Sequence, residues 1–577
     1  MPVRHSSPIR AFLTFVYLFA LSPVALGQER PNAQIGRAQS AVGRSGMVVA
    51  QEGLAARVGV DILKKGGNAV DAAVAVGFAM AVTYPRAGNL GGGGFMVVHR
   101  RNGRNIAIDY RETAPRAIND KSFLDAQGNA DPQKSRFSAL AIGVPGTVAG
   151  LALAERKYGS GRFTLAELIA PAIALARHGF PVADETIDLP PNEPSRLLRW
   201  TSSAKIFFKA DGTAFAPGDR LVQSDLAKAL QAIARRGPRA FYRGRIARKI
   251  AAAVQRSGGV MTRDDLKRYR AVERKPLKGT YRGYDIVSMP PPSSGGVELI
   301  EMLNILEGYD LAHDDQAQTL FLMIEAMKRA YADRALFLGD PDKVNAPVTH
   351  LISKDYAATW RATIDPAHAT PASAIRAGGS VAAEGRNTTH FSVVDRFGNA
   401  VSNTYTLNFS YGLGLVADGT GILLNNELDD FAAKPDAPNA YGLVGFTANA
   451  PGPGKRPLSS MTPSIVLKGG KPFLITGSPG GSRITTAVLQ VILNVIDRHM
   501  SIADAVSAPR VHNQWVPDQV FIEPGLPDDV VAALRARGDK VVAQRPFTSA
   551  NSIMVGPDGS FIGAADPRTG GALAVGY

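Results

Sequence analysis

The stretch GGSVAAEGRNTTHFSVVDRFGNAVSNTYTL, residues 378–407, decides how the rest of the chain reads. Its first ten residues, Gly378 to Asn387, are small and polar, the composition of an exposed segment open to cleavage. From Thr388 the pattern changes abruptly. His390 to Val394 and Ala400 to Leu407 suit strands, and Asp395-Arg396-Phe397-Gly398-Asn399 between them is a hairpin turn signal. A hydroxyl residue thus stands where a connector runs into a strand.

Downstream, Ser464 to Leu467 and Pro472 to Thr476 flank Lys468-Gly469-Gly470 and read as a second hairpin. The apolar positions Ile484, Ala487, Val488, Val491, Ile492, Val495 and Ile496 then fall at helical spacing, one face of a helix that covers a sheet. Upstream, Asn68 to Thr83 is rich in Ala and Val and reads as a buried helix. The glycines of Gly88 to Gly94 that follow demand either unusual backbone angles or very close approach, a tight turn beside an active centre. They do not have the G-x-G-x-x-G spacing of a dinucleotide site. The middle, roughly Leu151 to Glu307, alternates helical patterns with turns and reads as helical packing around the core. Hairpins followed by covering helices predict an α/β fold, a four-layer αββα sandwich.

At 577 residues, 45% hydrophobic and 20% charged, the chain has the composition of an ordinary globular protein, and no linker or repeat divides it. The first residues follow the plan of a secretory signal. Arg4 and Arg10 precede an apolar run, Ala11 to Leu26, that closes on the small residues Ala25 and Gly27 and puts the mature start at Gln28. An uncleaved membrane anchor is the plainer alternative; Pro23 and the small residues at the cleavage positions favour removal. There is no cysteine, which removes disulfides, thiolate metal sites and cysteine nucleophiles, and export without disulfides suits a bacterial periplasm. The net charge of +15 is uneven: residues 388–577 carry 14 Lys/Arg against 15 Asp/Glu, so the excess lies in 1–387. The basic runs Arg235 to Lys249 and Lys267 to Arg282 lack regularly spaced aromatics apart from Tyr242, Tyr269 and Tyr281. They read as solvated helix faces and not as a nucleic-acid surface.

H-E-x-x-H is absent and the nine histidines show no ligand spacing, so no metal or cofactor is expected. Gly477-Ser478-Pro479-Gly480-Gly481 does not match G-x-S-x-G. What remains is Asn387-Thr388-Thr389-His390. Taken alone it also reads as an N-x-T glycosylation acceptor or as structural strand threonines, and His390 as a packing residue. The chemistry becomes coherent if cleavage frees Thr388, because an α-amine of pKa roughly 7.7–8.0 can take the hydroxyl proton without a separate base. Gly480 and Gly481, between a strand and a helix N-terminus, either direct amides at an oxyanion or form a plain turn.

Ten stretches in order carry a family resemblance: GGNAVDAAVA at 66–75, GGGGFM at 91–96, DYRETAP at 109–115, PPPSSGG at 290–296, NTTHFSVVD at 387–395, TYTLN at 404–408, LLNNELDDF at 423–431, KRPLSSMTP at 455–463, GSPGGSR at 477–483 and ADPRTGGALAVGY at 565–577. Over nearly all its mature length the chain resembles the gamma-glutamyltransferase family of N-terminal nucleophile hydrolases. The resemblance implies an inactive precursor that cuts its own Asn387–Thr388 bond, giving a large subunit, 28–387, and a small catalytic subunit, 388–577, that stay together as a heterodimer. It implies that Thr388 attacks the γ-amide of glutathione or another gamma-glutamyl compound, and that water, an amino acid or a peptide resolves the acyl-enzyme. By the same resemblance Thr406 orients the nucleophile and the Gly480 and Gly481 amides form the oxyanion hole. Arg111, Ser459 and Ser460 hold the substrate α-carboxylate, and Asn408, Glu427 and Asp430 receive the α-ammonium. Tyr441 sits in a lid loop, Pro435 to Phe446. The alternatives are a cephalosporin or glutaryl acylase of similar sequence and a noncatalytic secreted binding protein; retention of Thr388, Thr406 and both glycines argues against the second.

Overall fold

The computed structural model describes Met1 and residues 35–183, 194–375, 387–546 and 548–577. The expected signal segment, 1–27, and residues 378–386 of the connector lie outside the described residues. Fourteen strands form two seven-stranded sheets: β1 (Gln39–Gly43), β2 (Gly46–Ala50), β3 (Gly93–His99), β4 (Asn105–Asp109), β5 (Val272–Arg274), β6 (Leu277–Tyr281), β7 (Tyr284–Ser288), β8 (Thr389–Asp395), β9 (Ala400–Thr406), β10 (Ser464–Lys468), β11 (Lys471–Thr476), β12 (Ser552–Val555), β13 (Phe561–Ala565) and β14 (Leu573–Gly576). The first sheet runs β14-β2-β8-β9-β3-β4-β5 and the second β1-β13-β12-β11-β10-β7-β6.

Alternation along the strands sorts side chains between two interfaces. Met47, Val49, Phe95 and Val97 join Ile465, Ile475 and Ile553 in a core between the sheets, while Val48, Ala50, Met96 and Val98 pack under helices. The helices on the first sheet include α1 (Gly53–Lys64) and α2 (Ala69–Thr83). Those on the second include α3 (Gly295–Leu306) and α5 (Ile484–Ile496), with α4 (Gln316–Phe337) against α3. The expected αββα sandwich is what forms. Asn68 starts α2 through a capping box with Asp71, and every residue of the helix is buried. The first sheet closes at its edge on the end of the chain, where the C-terminal oxygen of Tyr577 accepts from the Arg44 and Ser45 amides at 2.8 and 2.7 Å.

Two expectations need correction. The middle segment is not purely helical: β5, β6 and β7 lie within 272–288, and β6 and β7 turn on Arg282 and Gly283, both at positive φ, a two-residue hairpin signal hidden in a basic run. Helix α5 is covered on all sides save at Asn494, so its apolar periodicity marks an enclosed helix and not a one-sided cover.

The glycines of 91–94 serve close approach rather than unusual angles, since none has positive φ. A Cβ on Gly91 would lie 2.0 Å from the Leu423 carbonyl oxygen, and one on Gly92 would lie 2.0 Å from that of Thr406. Backbone cannot yield to such contacts locally. Gly92→Ala should therefore cost about 3 kcal/mol of stability and displace the end of β9; an unchanged thermal midpoint would show that the strands can separate at no cost.

Candidate active site

Hairpin register brings the first pieces together. Thr389 faces Tyr405 across β8 and β9, so the preceding residue, Thr388, comes level with Thr406. The Thr388 hydroxyl donates to Thr406 Oγ1 at 3.4 Å, and Thr406 Oγ1 also accepts from the Asn408 amide at 2.9 Å. Asn387 and Thr388 are consecutive residues of one chain, so the Thr388 nitrogen is a peptide nitrogen and not a base. Thr388 holds φ at +131°, a costly conformation for a β-branched residue. The strain sits at the Asn387–Thr388 bond. Asn387 is fixed there by its side chain, whose oxygen accepts a short hydrogen bond from Ser410 Oγ.

Thr388 lies between two cavities. The first, about 20 Å³, is lined by Thr388, Thr406, Asn408, Glu427 and Asp430 on one side and by Tyr441, Ser459, Ser460 and Gly481 on the other. The second, about 180 Å³, has Asn387, Thr388 and Gly480 in its wall. Gly481 (φ +58°) lines the first cavity and Gly480 (φ +133°) the second. Tyr441 roofs the first cavity. Its hydroxyl donates to Asn408, whose main-chain and side-chain oxygens lie 2.8 and 2.7 Å away, and its ring rests on Gly481, where a Cβ would fall 2.3 Å from Cδ1. A cavity of 20 Å³ holds about one water.

Arg111 is fully buried and does not itself line the first cavity; it meets Glu427 and Asp430, which do. Its guanidinium makes a short contact with Glu427 and donates to Asp430 at 2.5 Å, to the Pro457 carbonyl at 3.1 Å and to the Leu458 carbonyl at 3.2 Å. Glu112 adds a third carboxylate 3.8 Å from the same guanidinium. Three acids share one cation in a buried space. Burial above all, then the charge of Glu427, pushes Glu112 well above the ordinary carboxylate range; burial pushes Glu427 up to about 8 and raises Asp430 as well. Both Glu112 carboxylate oxygens, Glu427 Oε2 and the Ser460 hydroxyl are buried without a hydrogen-bond partner.

Asp429 and Asp430 part company. Asp429 accepts from Ser135 Oγ, Arg136 Nε and the Ala440 amide at 2.9–3.1 Å and holds the roof loop, whereas Asp430 turns to Arg111 and accepts from Asn439 Nδ2 at 3.2 Å. His390 is a packing residue: Thr404 and Ser392 engage both ring nitrogens at 2.8 and 3.0 Å, and burial lowers its pKa to about 3. Sequence reasoning missed Glu112, which lay unremarked inside DYRETAP. It also missed Asn89, whose Nδ2 donates to the Thr406 carbonyl at 2.8 Å while its Oδ1 accepts from Gly92 and Thr147. It missed Arg334, which lines the first cavity. An Asn inside a glycine run is the one signal that pointed to any of these.

The raised carboxyls predict a pH dependence. A carboxyl with raised folded pKa contributes stability that is complete below its unfolded value near 4.5 and lost as pH rises through its folded value. The uncut protein should lose stability between about pH 4.5 and 8, and Glu427→Gln should flatten that fall by up to about 1.4 kcal/mol per pH unit. Thermal denaturation of the two proteins across this range checks it; parallel curves would count against the shared-proton cluster.

Comparison with known proteins fits this geometry. The gamma-glutamyltranspeptidase family model matches residues 55–576. The glutathione hydrolase proenzyme of Escherichia coli (strain K12) is 52% identical over 536 residues, 92% of each chain. The acylase ACY 1 proenzyme of Pseudomonas sp. (strain SE83) is 38% identical over 541 residues, 92% of this chain and 93% of its own. The crystal structure of a cephalosporin acylase from Bacillus halodurans superposes with a TM-score of 0.83 at 29% identity, covering 95% of this chain and 98% of the other. With the family model matched over most of its length and relatives this similar, the chain belongs to the gamma-glutamyltranspeptidase family.

Proposed function

We propose that the protein is a gamma-glutamyltransferase and glutathione hydrolase made as a precursor. It cuts between Asn387 and Thr388 into a large subunit, 28–387, and a small subunit, 388–577, which remain associated. The freed α-amine of Thr388 takes the hydroxyl proton, Thr406 holds the hydroxyl in line, and the oxygen attacks the γ-amide carbon of glutathione or a related donor. The Gly480 and Gly481 amides stabilise the oxyanion as it forms. The leaving amine takes the proton, and water or an amino acid or peptide acceptor then releases the γ-glutamyl group from Thr388. The plan of the first residues supports export to a bacterial periplasm, and no helix among the described residues is long and apolar enough to cross a membrane.

One observation carries the donor assignment. The Ser460 hydroxyl and Glu427 Oε2 are buried without partners beside a cavity where Arg111 already pairs with Glu427 and Asp430. A donor group that is itself a zwitterion completes this arrangement: its carboxylate takes Arg111, Ser459 and Ser460, and its ammonium takes the Glu427 and Asp430 oxygens and Asn408. A glutaryl donor has no ammonium and would leave those acids facing nothing, at a cost of several kcal/mol. Tyr441 and its loop act as the cover.

Self-cleavage is tested by electrophoresis. Thr388→Ala should remain one uncut chain without activity, and Thr388→Ser should cut more slowly; efficient maturation of the alanine variant in a protease-free preparation would remove Thr388 from that role. The donor assignment is tested by comparing specificity constants. Gamma-glutamyl donors should be preferred over glutaryl ones by at least about a hundredfold, the equivalent of roughly 2.7 kcal/mol, and Asp430→Asn should narrow the gap mainly by weakening the former. Equal use of both donors would hand the assignment to the acylase alternative.

A further inference from the structure

The two basic runs, remote in sequence from the catalytic motifs, meet in space. Arg239 and Arg243 from the first, Lys267 and Arg270 from the second, and Arg156 from the helix Thr147–Tyr158 surround a cavity of about 420 Å³. At its floor the Tyr242 and Tyr269 rings stack 5.6 Å apart with 11° between their planes, both residues buried, and Leu153 and Pro238 add apolar wall. No carboxylate lines it. Neighbouring cations outside the cavity are neutralised: Arg268 by Asp264 at 2.6 Å and Lys157 by Glu273 at 2.8 Å. Among the described residues Arg156, Arg239, Arg243 and Lys267 pair with no acid, while Arg270 spends its guanidinium on the Lys267 and Tyr269 carbonyls at 2.9 and 2.7 Å.

These four exposed cations outnumber the acids near them, Glu155 beside Arg156 and Asp264 near Lys267, and a ligand that supplies negative charge relieves the repulsion among them. The volume falls within the range of small-molecule sites. Guanidinium forks match the oxygens of a phosphate, and Leu153, Pro238 and the tyrosine edges that line the cavity offer apolar contact to the body that carries it. We propose that this cavity binds a small organic phosphate, with its phosphate oxygens on Arg156, Arg239, Arg243 and Lys267 and its body on Tyr242 and Tyr269. Such a phosphate is either a free solute or the headgroup of an acidic phospholipid. The floor also adjoins the active centre: the Tyr269 hydroxyl donates to the main-chain oxygen of Arg111 at 2.8 Å.

The test uses the mature protein. Calorimetric titration with inorganic pyrophosphate and with adenosine 5′-monophosphate, and co-sedimentation with phosphatidylglycerol or phosphatidylcholine vesicles, are run on the unaltered protein and two double variants. Arg239→Gln with Arg243→Gln removes charge from the cavity. Arg235→Gln with Arg236→Gln removes the same charge from the same run outside it. Saturable binding of a soluble phosphate, weakened at least tenfold by the first pair and less than twofold by the second, supports a site for a free solute. Retention on phosphatidylglycerol vesicles alone, with the same dependence on the two pairs, supports a headgroup site. Equal weakening by both pairs would overturn the proposal in favour of diffuse charge. So would citrate binding as tightly as pyrophosphate, or no binding to any soluble phosphate or vesicle. Turnover of a gamma-glutamyl anilide by both variants verifies that they are folded.

Discussion

The ladder of backbone hydrogen bonds through the first sheet is the constraint on which the rest of the molecule depends. Strands β8 and β9, which follow Thr388, are inserted between β2 and β3, which precede it. Every residue of the pair is buried. The hairpin can neither slide nor tilt without exposing one of the two cores, because a one-residue slip would exchange the sides that face the helices and the other sheet. That rigidity fixes Thr388 beside Thr406 and concentrates backbone strain at the preceding peptide bond. The same ladder spans both sides of the proposed cleavage point, so cutting the chain there would leave the two pieces joined by main-chain hydrogen bonds in one sheet.

Within this frame the pocket is built on charge scarcity. Arg111 is the cation that Glu112, Glu427 and Asp430 share, and burial, aided by the excess of acids, raises the pKa of all three carboxyls. Such an arrangement is poor for stability, because buried acids without partners are costly. The proposed zwitterionic donor would repair both deficits without adding net charge. The roof formed by Tyr441 shares in this, as its loop is held by Asp429 and by hydrogen bonds to Asn408.

Much of this was legible in the residues. The hairpins, the buried helix after Asn68 and the break at Thr388 follow from periodicity and turn chemistry, which act locally. The assignment of Arg111, Ser459, Ser460 and Asn408 came from family likeness, because no spacing rule connects positions more than three hundred residues apart. Glu112 escaped because an acid next to an arginine reads as a surface pair until burial is known. The strands between Val272 and Ser288 escaped because their charged residues face outward and mask the alternation. The distinction between Asp429 and Asp430 depends on which side of a single turn each carboxylate leaves, and only packing decides that.

The edge of the first sheet carries a consequence for biosynthesis. Strand β14 ends one residue before the C-terminus, pairs with β2, and is anchored through Tyr577 to Arg44 and Ser45. The sheet that holds Thr388 in place is therefore finished by residues made long after Thr388 itself. A nascent or prematurely terminated chain already contains the hydroxyl and the bond it would attack, but not the completed sheet. The order of synthesis thus acts as a clock: the frame that holds Thr388 at its positive φ is complete only once residues 573–577 have been made.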